Sequence, residues 1–242
     1  MKTSKDALAV ATTSVLEPVL SLHSFSNLGA RKFARINDGV MQYLDIQLSS
    51  GGNKQFAVNY SSFTLYCPRN HVVLDLGGRF PRIKGHSDGW WTAKDQDSAN
   101  ISMCEVTDIF ENFALPWFTL TFTTKNLLAK LSERSAKLAH SNAHWLFDIC
   151  CCQARLGNLK DSLYSAKKSK EIYEAWYQAM PIKIWCLEGV KMCEQIIAAI
   201  DNDTQDHLLN EWYRHSIQHL KLDKLLKSKA DKTEHSKAGG PA

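Results

Sequence analysis

Several familiar signatures are missing from this chain. No apolar run approaches the roughly twenty residues that span a bilayer. The Gly-rich phosphate loop, the dinucleotide fingerprint and the nucleophile-elbow pentapeptide are absent, although Gly77-Gly78 follow an apolar run in "DLGGRF". The His-Glu-x-x-His zinc-protease form is absent too: in "HSNAH", His140 and His144 are spaced i, i+4, but Ser141 stands where the glutamate is needed. His215 and His219 repeat the spacing in a plain helical setting. A broad basic field is lacking. The formal charge is +4, and most of the surplus lies in the C-terminal stretch, at Lys221, Lys224, Lys227, Lys229, Lys232 and Lys237. The rest is near neutral, which disfavours a nucleic-acid surface. Asp6, Thr12–Ser14 and Glu17-Pro18 dilute and close what would otherwise be the apolar region of an export signal.

What is present is ordinary globular composition over 242 residues, 44% hydrophobic and 22% charged, enough for one large or two small domains. The seven cysteines are odd in number and spread along a long chain, so a disulfide framework is not expected and free thiols in a reducing cytoplasm are. Cys150-Cys151-Cys152 project about 100° apart on a helix, so they cannot converge on one metal and read as small buried apolar groups. Cys186 and Cys193 have no paired Cys/His motif elsewhere. No cofactor is expected.

The hydrophobic period divides the chain. Residues 5–22 have helical spacing through Leu8, Val15, Leu16 and Leu20, with Pro18 shortening or kinking the helix. From about 30 the period becomes two. "RKFARI" starts a strand, and Leu44, Ile46 and Leu48 alternate against Tyr43, Asp45 and Gln47. "SSGGNK" turns the chain, and Phe56, Val58 and Tyr60 alternate next. The parity shift at Ser61-Ser62 predicts a bulge or bend, "CPRNH" a hairpin turn, and "HVVLDL" (71–76) a further strand. No helix-length segment separates these strands, so the sheet is expected to be an antiparallel meander. A helix is expected over 103–114, ended by Pro116. From about 119 the chain reads as helical. It breaks at Leu156-Gly157-Asn158 and at Pro181, and ends in an amphipathic helix capped by Asp203 or Thr204, with Leu208, Leu209, Trp212, Ile217 and Leu220 as its apolar set. The fold class is α+β: an N-terminal helix plus antiparallel β-meander, then an all-helical C-terminal bundle. The expected divisions are 1–118 for the helix and sheet, 119–222 for the bundle packed on it, and 223–242 for a flexible basic tail.

Two resemblances follow. The opening helix, "GARKFARI", the hairpin "YLDIQLSSGGNKQFAVNY", the tryptophan before "KDQDSA" and "LPWF" together resemble a bacterial family catalogued as domain of unknown function 4304, over about residues 8 to 135. The resemblance implies a cytoplasmic bacterial protein without known chemistry. Families of this general kind include immunity proteins that sit beside toxins. Separately, "WLFDICCCQARLGNLKDSLYSAKKSKEIYE" resembles a single tetratricopeptide hairpin. Leu146 takes the bulky position, Cys150 the small one, and Ser162 and Ala166 the close approach of the second helix. Ser162 and Ser169 replace the usual alanines, Gln153 an aromatic, and no second copy appears at the period of about 34.

The segment "DLGGRFPRIKGHSDGWWTAKDQD" sets Trp90 and Trp91 in a polar loop. Adjacent residues of an extended segment face opposite ways, so one ring can anchor inward while the other faces out. Either both cover the sheet edge, or the outer ring, flanked by Arg79, Arg82, Lys84 and His86, meets a partner protein or a base. The expected function is non-enzymatic binding of another protein, in its leading form a toxin whose active site is occluded. The candidate contacts are those four residues with Asp88, Trp90, Trp91, Asp95 and Asp97. A helical-hairpin adaptor docking through its C-terminal helices is one alternative. An enzyme using Cys67, His71 or the 140–144 pair is another.

Overall fold

A computed structural model describes residues 6–29, 31–51, 54–81, 89–137 and 142–226. The N-terminal helix runs through α1 (Ala7–Ala11), a π-helical turn at Thr12–Leu16, and α2 (Glu17–Leu22). Among the described residues six antiparallel strands follow: β1 (Ser26–Gly29), β2 (Lys32–Asn37), β3 (Val40–Leu48), β4 (Gln55–Thr64), β5 (Gly77–Arg79) and β6 (Trp91–Thr92). The order is β1-β2-β3-β4-β5, and β6 pairs with the start of β4 at Gln55 and Phe56. Helix α3 (Gln96–Ile109), a second π-helical turn (Phe110–Ala114) and α4 (Leu115–Thr119) return over the sheet. The remainder is α5 (Thr124–Ala136), α6 (Ala143–Arg155), α7 (Leu159–Ala179), α8 (Trp185–Asp201) and α9 (Gln205–His219). The chain is α+β with the two classes segregated.

Pro116 does not end the helix before it. In both long N-terminal helices a π-helical turn immediately precedes a proline. The Glu17 N–H donates to the Thr12 carbonyl ahead of Pro18, and the Leu115 N–H donates to the Phe110 carbonyl ahead of Pro116. A proline ring meets the carbonyl four residues back and offers no N–H. Widening the turn by one residue shifts the bonding past that point, and the helix continues.

The β3–β4 ladder is unbroken from Val40↔Thr64 to Leu48↔Phe56, so the expected bulge at Ser61-Ser62 is not there. The apolar parity changes because the buried face changes. Phe33, Leu44 and Tyr60 share one face, where with Ile46, Phe56, Val58 and Trp91 they pack under the helices on either side of the sheet segment. Ala34, Tyr43 and Ser61 share the other face. There Ile36, Met41, Phe63 and Leu65 pack against Ile217, Leu222 and Leu225 from the C-terminal end. The sheet is the middle layer of three. Leu48, at the strand end, is exposed.

The segment 71–76 is not a strand. It runs irregularly, with Val72 and Val73 packed toward α9's end of the core, and strand pairing resumes at Gly77. "CPRNH" is not a hairpin turn either. It carries the chain from β4 onto the helices: the Ser216 hydroxyl donates to the Cys67 carbonyl at 2.9 Å and accepts from the Arg69 N–H at 3.0 Å. In α9, Thr204 takes the N-cap position without a side-chain cap, its hydroxyl donating back to the Ala199 carbonyl at 3.3 Å.

The helical half is built around α6, which is enclosed on all sides. Cys150 faces α7, where the Ser162 hydroxyl donates to its carbonyl at 3.0 Å. Cys150 and Cys151 pack with Tyr173, Cys193 and Trp212. Cys152 points to the seam, joining Leu127 and Leu131 of α5 with Val40 and Leu76. All three thiols are buried. Gly157, at φ +79°, ends α6 in the left-handed region as its position demands.

Candidate functional site

A cleft of about 550 Å³ opens where the segment 68–75 leaves the sheet and meets α6, α7 and α8. Its base is an ion pair. Arg69 reaches Asp148 of α6 through Nη2, with the two side chains 11% and 6% exposed. Burial is the largest influence on the Arg69 guanidinium and opposes its charge, but Asp148, with smaller contributions from Cys67, Cys151 and Asp75, outweighs it and holds the group above its ordinary value. The Arg69 Nε has no partner among the described residues, and the Phe63 ring lies 5.8 Å from the guanidinium carbon.

An aromatic cluster forms the wall. His144 Nδ1 and the Tyr173 hydroxyl are 2.8 Å apart. The His144 ring stacks on Trp185 at 5.3 Å and 25°, and Trp176 meets Trp185 and Tyr173 edge-on. Burial lowers the His144 pKa and raises that of Tyr173, so the imidazole is neutral at pH 7, and its tautomer sets which of the two groups donates. Gly189 of α8 lets the Tyr173 ring lie against the helix: a Cβ there would be 2.7 Å from its carbons. Asp75 and Glu188 stand at the rim, both exposed.

Arg69, Asp148, His144 and Tyr173 are thus occupied by one another, while His71, also in the lining, is exposed. Burial pushes the Cys151 and Cys152 thiols well above their ordinary value and Cys193 up to about 12. Such thiols are poor nucleophiles. Among the described residues, no three His, Cys, Asp or Glu side chains are grouped to hold a metal ion. His215 and His219 stack at 3.9 Å on the α9 surface, with His215 Nε2 2.8 Å from Asn70 Oδ1. His140 lies outside the described residues.

The tryptophan pair divides. Trp91 is fully buried in β6, stacked on Phe56 at 5.9 Å. Trp90 is half-buried, and the Arg79 guanidinium carbon lies 4.8 Å from its ring centroid. Arg79 also reaches Asn59 and Gln47 on the sheet. Asp95 caps α3, accepting from the Ser98 N–H at 2.8 Å, and Asp97 is exposed in that helix's first turn. Arg79 and Trp90 therefore come together, while Trp91 and Asp95 serve the fold. Arg82, Lys84, His86 and Asp88 lie outside the described residues.

Next to the cleft, the α7–α8 turn exposes Met180, Ile182, Ile184, Trp185 and Leu187, with Ile182 at 88% and Ile184 at 67%. Sequence reasoning passed over "MPIKIWCL" as a proline break. Its signal was the apolar density on both sides of Pro181, where a helix–helix turn is normally polar.

A family model described as a domain of unknown function (DUF4304) matches residues 16–120. That segment holds α2, the sheet, α3 and α4. The cleft's helical wall and the apolar turn lie beyond it. No curated protein and no solved structure matches the chain. Among the described residues no helix is long and apolar enough to cross a membrane.

Proposed function

We propose that this chain is a non-enzymatic binding protein whose partner is another protein, docked on the α7–α8 turn and the cleft beside it. The observation that carries the reading is the run of five large exposed apolar side chains within residues 180–187. Soluble proteins rarely leave such a group facing water without an occupant for it, and a partly exposed tryptophan at its centre suits an interface anchor. The internal occupation of His144, Tyr173, Asp148 and the buried thiols supports binding over catalysis, since a reacting group must be free to meet its substrate. Free, mostly buried cysteines fit a reducing cytoplasm.

Purification of the tagged chain from its native cells tests this. A stoichiometric protein partner is expected, lost with Ile182→Ser plus Ile184→Ser and kept with Trp90→Ala. Loss with Trp90→Ala alone would place the contact on Arg79 and Trp90 instead. A partner that is a toxin, inhibited on binding, would make occlusion the mechanism. Turnover of a substrate by the purified chain would overturn the reading.

A further inference from the structure

The chemistry of the cleft narrows the class of partner. This step rests on the binding reading above. The cavity, about 550 Å³, has room for one or two side chains but not for a folded element. Its wall is apolar and aromatic, with Trp185 41% exposed at the mouth. Its rim is acidic. Asp75 stands on the segment side, where it acts on Arg69 and His144 without an ion-pair contact, and Glu188 stands on α8. Arg69, the cation in the lining, is already bound to Asp148. Two carboxylates at the rim thus face one ammonium near the mouth, that of Lys183, on a chain whose formal charge is +4. Lys183 shows what the outer ring accepts: its ammonium lies 5.8 Å from the Trp185 centroid, within cation–π range. Ile182, Ile184 and Leu187, next to Trp185 in the chain, are also exposed, so apolar surface is offered beyond the residues that line the cavity.

We propose that the cleft recognises a segment of the partner protein in which an apolar side chain, seated against His144, Tyr173 and Trp185, is followed within a few residues by lysine or arginine held between Asp75 and Glu188. A nucleic acid would bring phosphates to this acidic rim and be repelled.

Panning a phage-displayed library of random peptides against the full chain tests this. The expected pool pairs an apolar residue with a nearby lysine or arginine. A synthetic peptide from it should bind about threefold more weakly to Asp75→Asn and to Glu188→Gln, as suits exposed rim charges. Both side chains are exposed, so neither substitution disturbs the core. Acidic or uncharged selected peptides, or affinity indifferent to both substitutions, would overturn the inference. An uncharged apolar pool that still depends on Ile182 and Ile184 would overturn the inference alone and leave the docking surface standing. A pool indifferent to those two residues as well, or no enrichment at all, would sink both.

Discussion

The Arg69–Asp148 pair offers the sharpest test of how the two halves are joined. Arg69 belongs to the segment that leaves β4, and Asp148 to the central helix α6. Both side chains are about nine-tenths buried, at 11% and 6% exposure. Asp148→Asn keeps the volume and removes the charge, leaving a buried guanidinium whose neighbours include the Phe63 ring, Cys67 and Cys151. The amide oxygen can still accept from Arg69, but the carboxylate that remains near the guanidinium, Asp75, makes no ion-pair contact with it, and the Nε has no partner among the described residues. Breaking one side of a buried pair costs about 3–5 kcal/mol. At about 2–4 °C per kcal/mol for a chain of this length, the melting temperature should fall by on the order of 10 °C. Replacing both residues, as Arg69→Met with Asp148→Leu, removes the stranded charge and should recover most of the loss, because a well-packed apolar pair is often as stable as the ion pair it replaces. Urea titrations of the parent, both single variants and the double variant close the cycle. If Asp148→Asn stays within about 1 kcal/mol of the parent, or the double variant is as unstable as the single, the pair does not hold this seam and the reasoning fails.

Other outcomes follow from the same packing. Trp91→Ala should cost about 3–5 kcal/mol, and Trp90→Ala about 1 kcal/mol, since only the first ring is fully enclosed; equal losses in chemical denaturation would contradict the division of the pair. Burial holds His144 below the ordinary imidazole value, so the unfolded chain takes up that proton first as pH falls. Its contribution is complete above about pH 6.5 and is lost as pH drops through the lower folded value. Urea midpoints should therefore fall more steeply between about pH 7 and 5 for the parent than for His144→Gln, and parallel profiles would refute the assignment. Gly189→Ala should destabilise by about 1–3 kcal/mol, despite alanine's better helix propensity, because the methyl would lie 2.7 Å from ring carbons of the enclosed Tyr173; a stabilised variant in thermal melts would show that the ring can retreat.

Legibility tracked the range of the interactions. Period-two alternation through Leu44 and Ile46, and through Phe56, Val58 and Tyr60, placed one face of β3 and β4 correctly, because local pattern reports a half-buried strand directly. The same pattern misled at Ser61-Ser62. A strand covered on both faces loses its alternation without any change in backbone geometry, and the second cover comes from α9, some 150 residues on. Pro116 misled because a single-residue rule cannot see a widened turn. The Asp38-Gly39 turn between β2 and β3, with both residues at positive φ, carried a readable two-residue hairpin signal that the strand reading ran past. The cleft was legible only in part: His71 and His144 each stood out in the sequence, and both line it, but nothing there joined them. Its two defining contacts join Arg69 to Asp148 and His144 to Tyr173, at separations of 79 and 29 residues. Neither pair forms a spacing motif, and the sequence drew attention instead to His140 and His144 as neighbours on one helix.

The position of the cleft follows from the layering. Of the described residues within 16–120, the part that matches the family model, Leu28, Val72 and Val73 give the sheet's second face, with Ala34, Ile36, Met41 and Phe63, only partial cover. Left bare it would be a large apolar surface. The C-terminal helices close it, but a bundle laid on a twisted sheet cannot follow it everywhere. The gap falls where β4 has ended and the chain must cross from one layer to the other. That crossing brings Arg69 into the core, and Asp148 must meet it, since a guanidinium there without a carboxylate would be untenable. The pair fixes the segment 68–75 at a set distance from α6 and α8, and the space left between them is the cleft. Binding at Trp185 and Asp75 would thus bridge the two halves at their seam. A ligand held there stabilises the whole chain by mass action, and a variant that weakens the seam, such as Asp148→Asn, should weaken the same peptides that Glu188→Gln weakens, although Asp148 is buried beneath the floor they touch.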